Sequence, residues 1–333
     1  MTRRIIFITG GAGFIGSNIA ARLAEDLSLD VVICDRLREE ASGKWRNIAK
    51  HPIGDFVAPE NMFDWLEKRW RDIELVVHMG AISSTMETDA DKIIHTNFGL
   101  SRDLFRWCAD RQKRLIYASS AATYGDGSQG FVDHDDLASL IGLKPMNAYG
   151  WSKALFDVFA ARQAARDYAP PQWVGLKFFN VYGPNEAHKG PMKSVAAQIW
   201  PKAAKGETVR LYKSHREGYV DGGQLRDFVY VRDAADVVAW LVENPQVNGV
   251  YNLGSGKARS FQDLAEAVFA AVRHPPRIEY YDMPVSLREK YQYFTEADMT
   301  RLHAAGYAAP MTSLEDGVAD YVQSYLSKSD PHR

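Results

Sequence analysis

Cysteine is scarce. The 333-residue chain holds two, Cys34 and Cys108. They lie in apolar or helical contexts without metal-ligand spacing, which argues against a disulfide scaffold and a zinc centre and for a reducing compartment. No stretch approaches the ~20 consecutive apolar residues of a membrane span. The opening MTRRIIFITGG places two arginines before a short apolar run, but glycines end that run well short of a signal-peptide core. An excess of either charge is also lacking. Forty Lys+Arg face 42 Asp+Glu, for a formal net charge of −2, which leaves no basic surplus for nucleic acid and no acidic tail. No internal repeat, low-complexity tract or obvious linker interrupts the chain. These absences predict a cytoplasmic protein with no metal, no nucleic-acid partner and no membrane.

The length suggests about two domains at roughly 150 residues each. The first half alternates short β-branched runs with helical patterns. RIIFIT (4–9), DVVIC (30–34), LVVHM (75–79), RLIYAS (114–119) and WVGLKF (173–178) read as buried strands. Helices are predicted at about 14–27, 60–71, 90–112 and 147–168. Alternation of this kind predicts an α/β protein with a doubly wound parallel sheet covered on both faces. The second half is less regular, with helical patterns near 192–205, 233–244, 260–273 and 313–328 and short strands VRLY and GVYNLG. It predicts a smaller α/β lobe, with some segments returning to the sheet. The expected division is a Rossmann-type domain over 1–175 joined by the returning segment 227–255, and a substrate lobe over 176–226 and 256–330. SHREGYVDGGQL (214–225) is polar and Gly-rich and reads as a flexible loop.

The first strand runs directly into TGGAGFIGS, with glycines at Gly10, Gly11, Gly13 and Gly16. A tight strand-to-helix turn and close backbone approach to a pyrophosphate both need positions without a Cβ. The helix that follows offers free N–H groups and a positive dipole end. Asp35 ends the next strand, 19 residues after Gly16, in the place of an acceptor for an adenosine ribose. Strand, glycines, helix and acid together make dinucleotide binding the expected role, with Gly10, Gly11, Gly13, Phe14, Ile15 and Gly16 as turn contacts. Arg36, Arg38 and Lys44 follow Asp35, and an arginine there can embrace a 2′-phosphate. That favours NADP over NAD.

NAYGWSK supplies Tyr149 and Lys153, an i, i+4 pair on one helix face, with Asn147 as the N-cap. An ammonium near a phenol favours the phenolate, which suits Tyr149 to exchange a proton with a substrate alcohol. Such pairs are common on surfaces. This one follows YASSAATYG (117–125) at a predicted strand end, where doubly wound sheets place ligands. Ser119 or Ser120 can hydrogen-bond the reacting oxygen, and the other would cap the turn.

TGGAGFIGS, YASSAATYG, NAYGWSK and FFNVYGP (178–184) together resemble the extended short-chain dehydrogenase/reductase family of nucleotide-sugar enzymes. GAISST (80–85), FNVYGPNEAHKGPM (179–192), RDFVYVRDAADV (226–237), NLGSGKARSF (252–261) and YQYFTEADMTRLHAAGY (291–307) extend the resemblance over nearly the whole chain. HKG and YQYFTEADM point to the branch acting on an ADP-linked glycero-manno-heptose. The resemblance implies epimerisation at C6″ by transient oxidation with bound NADP, without net redox change, giving a lipopolysaccharide heptose precursor. Inverting that centre needs proton exchange at two positions. Tyr149 serves one, and Lys189, which otherwise reads as an ordinary loop lysine, serves the second. Further carry-overs are Lys153 on the nicotinamide ribose and Val181 on the nicotinamide side. Met79, Gly80, Ala81, Ser83 and Asn97 would line the cofactor; Ser120, Asn180, Gln198, Tyr212, Arg226 and Tyr291 would line the substrate. The resemblance also implies a ring-like homo-oligomer of the pentameric kind.

The chain also departs from that pattern. Pro191 and Gln198 stand where the branch has a serine and a histidine, Arg36 where it often has asparagine, and Pro59 near an expected lysine. The 214–225 loop is longer than usual. Dehydratases of this type carry Asp-Glu after the strand-end hydroxyl residue; Ala121 and Ala122 occupy those places and disfavour dehydration. The alternatives are a 4-epimerase of a UDP- or GDP-sugar, which needs only the tyrosine base, and a non-catalytic dinucleotide sensor, which would typically have lost Tyr149 or Lys153.

Overall fold

The computed structural model describes residues 4–84, 87–288 and 291–333. The first three residues of the MTRR stretch and Thr85 of GAISST lie outside the described residues. The strands are β1 Arg4–Thr9, β2 Leu29–Cys34, β3 Asp55–Val57, β4 Ile73–His78, β5 Arg114–Ser120, β6 Trp173–Phe178, β7 Asn180–Tyr182, β8 Val209–Tyr212, β9 Leu225–Tyr230, β10 Gly249–Leu253, β11 Ala258–Ser260 and β12 Ile278–Tyr281. The helices are α1 Phe14–Leu23, α2 Met62–Arg69, α3 Ala90–Ile93, α4 Leu100–Asp110, α5 Leu137–Gly142, α6 Ala148–Ala164, α7 Val195–Ala203, α8 Val231–Glu243, α9 Phe261–Ala271, α10 Val285–Arg288, α11 Thr300–Ala304 and α12 Leu314–Asp320.

Seven strands form one parallel sheet in the order β10-β6-β5-β4-β1-β2-β3. Alternate residues of β1 serve opposite faces. Ile5 and Phe7 join Leu66 and Phe105 in one core, while Ile6 and Ile8 join Ile19 and Val238 in the other. A period of two with both sides apolar is what a sheet sandwiched between helices requires. This is the doubly wound architecture expected from the sequence. The second half adds a three-stranded sheet, β11-β9-β7, and the parallel pair β12-β8. Phe228, Leu264, Val268, Phe269 and Val318 centre a separate core there.

Several elements differ from the sequence reading. β3 is a short edge strand, and only Val57 of its three residues is buried, so it carries no periodic signal. The predicted 90–112 helix is broken by a π-helical turn over Ile94–Gly99. The 214–225 segment is irregular but tied. Ser214 N–H donates to Asp221 (2.8 Å) and His215 N–H donates to the Tyr293 hydroxyl (3.0 Å).

A fully buried ion pair fastens the central strands to α6. Lys177 of β6 and Asp157 of α6 lie 2.9 Å apart with both side chains at 0% exposure. Lys177 also donates to Thr123 (2.7 Å), and Asp157 accepts from Tyr117 (3.1 Å) and Ser119 (2.6 Å) of β5. Removing one partner of such a pair leaves an uncompensated charge in the core. Lys177→Ala is therefore expected to lower the unfolding free energy by ~3–5 kcal/mol, read from urea titration. A loss below ~1 kcal/mol would show the pair to be dispensable.

Candidate active site

The sheet order reverses between β1 and β4, and ligands bind outside the carboxyl ends of strands at such a point. Gly10 ends β1 with φ +66°, and a Cβ there would lie 2.7 Å from the Gly80 nitrogen just beyond β4. A Cβ on Gly16 would lie 2.2 Å from the Gly10 carbonyl. Bare backbone is thus required where the turn folds onto α1, and the N-terminus of that helix faces the crevice. The residues present fit a dinucleotide pyrophosphate.

Asp35 is already engaged. Its carboxylate accepts from Ala12 N–H (3.0 Å), Arg36 N–H (2.7 Å) and the Lys44 ammonium (2.6 Å). Instead of simply presenting a free acceptor to a ribose, it ties the phosphate turn to the 3₁₀ turn Lys44–Asn47. Arg36 is exposed, its nearest acid Glu60 at 3.7 Å. Beyond β4, Met79 N–H bonds to Thr9 O (3.0 Å). Asn97 clamps Ile82 from both sides, accepting from its N–H (2.8 Å) and donating to its carbonyl (3.0 Å). The π-helical turn that breaks the predicted helix holds Asn97 in this position, and Asn97 also donates to Ser152 of α6 (3.1 Å). Ala81 and Ser83 flank the clamped residue on the same loop.

The two serines ending β5 separate cleanly. Ser119 belongs to the buried Asp157 network. Ser120 accepts from Ala122 N–H (3.2 Å), and its hydroxyl favours the ionised form of Tyr149. Asn147 caps α6 as expected, accepting from Gly150 N–H (2.8 Å). Gly150 lets α6 approach the turn after β5, since a Cβ there would stand 2.6 Å from the Ala122 carbonyl. That approach brings Tyr149 beside Ser120. The expectation for its ionisation needs correcting. Burial raises the Tyr149 pKa, and the opposing pull comes from Ser120. Lys153 is 4% exposed and its ammonium donates to the Ala118 carbonyl (2.8 Å). Burial lowers its pKa to about 8, with Asp157 pulling the other way.

Lys189 lies in a 3₁₀ turn, Ala187–Met192, held from several sides. Its N–H bonds to Glu186 O (3.0 Å). The Glu186 carboxylate accepts from Ser194 N–H and hydroxyl (both 2.5 Å) and from Tyr321 (3.0 Å). Gln198 donates to the carbonyls of Pro191 (3.2 Å) and Lys193 (2.7 Å), so its amide fastens this turn to α7. The Lys189 ammonium sits 4.9 Å from the Phe14 ring centre, at the phosphate turn. Burial lowers its pKa, partly offset by Glu186.

Asn180 and Val181 follow β6 in β7, Asn180 exposed and Val181 half-buried. In the smaller lobe Tyr212 and Tyr291 pack edge-on at 6.3 Å. The Arg226 guanidinium stacks over Tyr291 (5.0 Å) and Phe261 (5.7 Å). Arg226 is 7% exposed and donates to Leu225 O (2.8 Å). Among the described residues no carboxylate pairs with it, the setting of a cation kept for an anionic ligand. A cavity of about 230 Å³ adjoins, lined by Asp126, Met146, His215, Arg216, Arg288, Tyr291, Gln292 and Tyr293. A larger cleft of about 520 Å³ borders residues 40–43, Trp45, Arg46, Ala187 and His332, outside the turn that follows β2.

Sequence reasoning missed the buried chain behind the crevice. Thr9 pairs with His78 (2.6 Å), His78 pairs with Ser101 (2.9 Å), and burial drops the His78 pKa to about 3. A neutral histidine inside a strand carries no motif to flag it.

Residues 6–254 match the model of the NAD dependent epimerase/dehydratase family. The chain is 48% identical over 328 residues to an ADP-L-glycero-D-manno-heptose-6-epimerase of Nitratidesulfovibrio vulgaris, covering 98% of this chain and 99% of that relative. The crystal structure of the Helicobacter pylori ADP-L-glycero-D-manno-heptose-6-epimerase superposes with TM-score 0.79 at 27% identity, covering 97% of this chain and 96% of that one. A Thermus thermophilus UDP-glucose 4-epimerase in complex with NAD gives 0.72 at 25% identity, covering 96% and 97%.

The lysine beside Tyr149 offers a direct check. In dinucleotide-free protein the ¹³Cε signal of Lys153 should titrate at about 8, against ~10.4 for free lysine. Asp157→Asn should move it lower still, because Asp157 favours the ammonium. A midpoint above 10 would contradict the burial seen here.

Proposed function

The chain belongs to the NAD dependent epimerase/dehydratase family, and from that premise we propose that it is an isomerase inverting C6″ of an ADP-glycero-manno-heptose. The observation that carries this reading is the placement of Lys189. A loop lysine would ordinarily reach water, but this one is drawn onto Phe14 of the phosphate turn with its ammonium destabilised by burial. It forms a second proton-handling group besides Tyr149, which a single-base 4-epimerase does not need. Relatives bearing the heptose-epimerase name over 98% of the chain support the same substrate class.

Each residue then has a task. The backbone of Gly10 to Gly16 receives the pyrophosphate, and the loop from Met79 to Ser83 lines the cofactor. A bound dinucleotide would supply a reversible hydride acceptor, by which C6″ could be oxidised to a ketone and reduced again without net redox change. Tyr149, beside Ser120, is the group at one position and Lys189 the group at the other. Whichever faces the alcohol takes its proton as hydride leaves C6″, the other gives a proton to the oxygen as hydride returns to the turned ketone, and exchange with solvent resets both groups. Lys153 holds the nicotinamide ribose and brings positive charge one helical turn from Tyr149. Arg226 meets the diphosphate, with Tyr212 and Tyr291 packed around it and Asn180 at the sugar. The departures at Pro191 and Gln198 are compatible, because Gln198 supports the turn that carries Lys189.

The same reading divides the chain into a dinucleotide domain, 1–175 with 227–255, and a substrate lobe, 176–226 with 256–330. It places the enzyme in the cytoplasm as a homo-oligomer supplying heptose for lipopolysaccharide. Among the described residues no helix is long and apolar enough to cross a membrane. The cofactor we favour is NADP, on the exposed Arg36 and on Lys44 beside Asp35.

Two experiments follow. Proton NMR of ADP-D-glycero-D-manno-heptose with purified protein should show the L-glycero epimer, slowed by ~10²–10⁴ in Lys189→Ala and Tyr149→Phe. An untouched heptose together with turnover of a UDP- or GDP-hexose would replace this reading with 4-epimerisation. Separately, Arg36→Ala should weaken NADP⁺ binding about tenfold, in line with one lost charged hydrogen bond, and leave NAD⁺ within about twofold. Equal effects on both would remove Arg36 from the choice of cofactor.

A further inference from the structure

Asn47 closes the 3₁₀ turn that begins at Lys44 and is 1% exposed. Its amide NH₂ faces the carbonyls of Ala12 (3.0 Å) and Asn185 (3.2 Å) and Nδ1 of His188 (3.2 Å). Carbonyls only accept, so the amide orientation is set, and Oδ1 is left facing Nδ1 of His332 at 2.9 Å. His332 must therefore carry its proton on Nδ1. Asn185, in the left-handed region at φ +73°, donates to Ser17 (3.0 Å) and to Asn47 O (3.3 Å) and accepts from Arg333 N–H (2.9 Å). Asn18 of α1 bridges Phe14 O (2.9 Å) and Pro184 O (3.0 Å). Lys50 secures the other side, 2.9 Å from Asp330 and bonded to the His332 carbonyl.

Three segments far apart in sequence thus meet at one buried amide. Ala12 belongs to the phosphate turn and is gripped twice, its N–H by Asp35 and its carbonyl by Asn47. Asn185 and His188 lead into Lys189, whose ammonium rests on Phe14 of the same turn. Residues 330–333 complete the two amides by donating to Asn47 Oδ1 and Asn185 Oδ1. A buried acceptor stripped of its donor costs more than the bond was worth, so neither segment can shift without penalising the other.

We propose that Asn47 is a positioning residue coupling dinucleotide binding at the phosphate turn to the placement of the Lys189 turn, with His332 as the group that holds Asn47 in register. Lys44 and Asn47 are the ends of one turn, so contacts at the adenosine end of the cofactor reach Lys189 through a single rigid element. The functional weight of this coupling rests on the reading of Lys189 given above. The coupling itself is measured without any sugar, so its failure is distinct from failure of that reading.

The test uses full-length protein stripped of dinucleotide: wild type, Asn47→Ala, His332→Ala and His332→Gln. Calorimetry with both NADP⁺ and NAD⁺ gives affinity, and hydrogen–deuterium exchange is followed over 10–16 and 185–192. Affinity for the tighter dinucleotide should fall about tenfold in Asn47→Ala and about fivefold in His332→Ala, the scale of one lost buried hydrogen bond. Exchange should quicken in both segments together. In wild type, dinucleotide should slow exchange over 185–192, and the two alanine variants should lose that response. His332→Gln keeps a neutral N–H donor and should stay within about twofold of wild type. Should Asn47→Ala not fold, His332→Ala decides alone. Unchanged affinity in folded alanine variants, or exchange that quickens in only one segment, overturns the proposal.

Discussion

Gly10 pressed against Gly80 is the contact on which the site depends. β1 and β4 are neighbours whose following chains leave in opposite directions, so a crevice opens where they part. Bare backbone on both sides keeps that crevice shallow enough for a pyrophosphate to reach α1. Every functional group is then placed by its distance along the sheet from this point. Ser120, Tyr149 and Lys153 come from β5 and α6 on one side. Asp35, Lys44 and Asn47 come from the β2 side. Lys189 returns from beyond β6 to lie on Phe14.

Burial sets the proton affinities of Tyr149, Lys153 and Lys189, and it acts on them in opposite senses. Removing water disfavours the charged form of each. The phenol of Tyr149 is driven up and the ammoniums of Lys153 and Lys189 are driven down. A phenol and an ammonium start nearly level, so a rise in one and a fall in the others draws them apart. Each group is thereby pushed toward its neutral form, a phenol that holds its proton and amines that can accept one. Asp157 limits the fall for Lys153, and Asp157 is itself neutralised by Lys177. Lys177 in the core and Lys153 beside the crevice therefore share one carboxylate.

Much of this was legible in the sequence, for identifiable reasons. The phosphate turn declared itself because glycine, strand and helix occur in sequence order, and Tyr149 and Lys153 because four residues make one helical turn. The choice of Ser120 over Ser119 came from the resemblance and was not legible in the residues themselves. Adjacent residues of a strand point to opposite faces, but nothing local says which face holds Asp157. The engagement of Asp35 by Lys44 and Ala12 was hidden for the same reason, and so was the use of Gln198 as a support for its own turn. Asn47 and His332 are 285 positions apart, and no spacing rule reaches that far. The shifted proton affinity of Tyr149 was misjudged because a neighbouring ammonium was weighed and desolvation was not.

The position of β10 has a consequence for how the protein is made. It pairs with β6 at the edge of the large sheet, yet the whole of 179–248 separates the two strands. At a synthesis rate of ~5–20 residues per second, β6 waits roughly 4–14 s on the ribosome with an open hydrogen-bonding edge. Apart from Lys177 its residues are apolar, and all are buried in the finished fold, so that edge is largely apolar as well as unpaired, the combination that invites wrong partners. The nascent chain is thus most exposed to aggregation after the dinucleotide half has emerged and before Leu253 has. Slow decoding over 179–248 would lengthen that interval, and a chaperone that shields β6 would act during it.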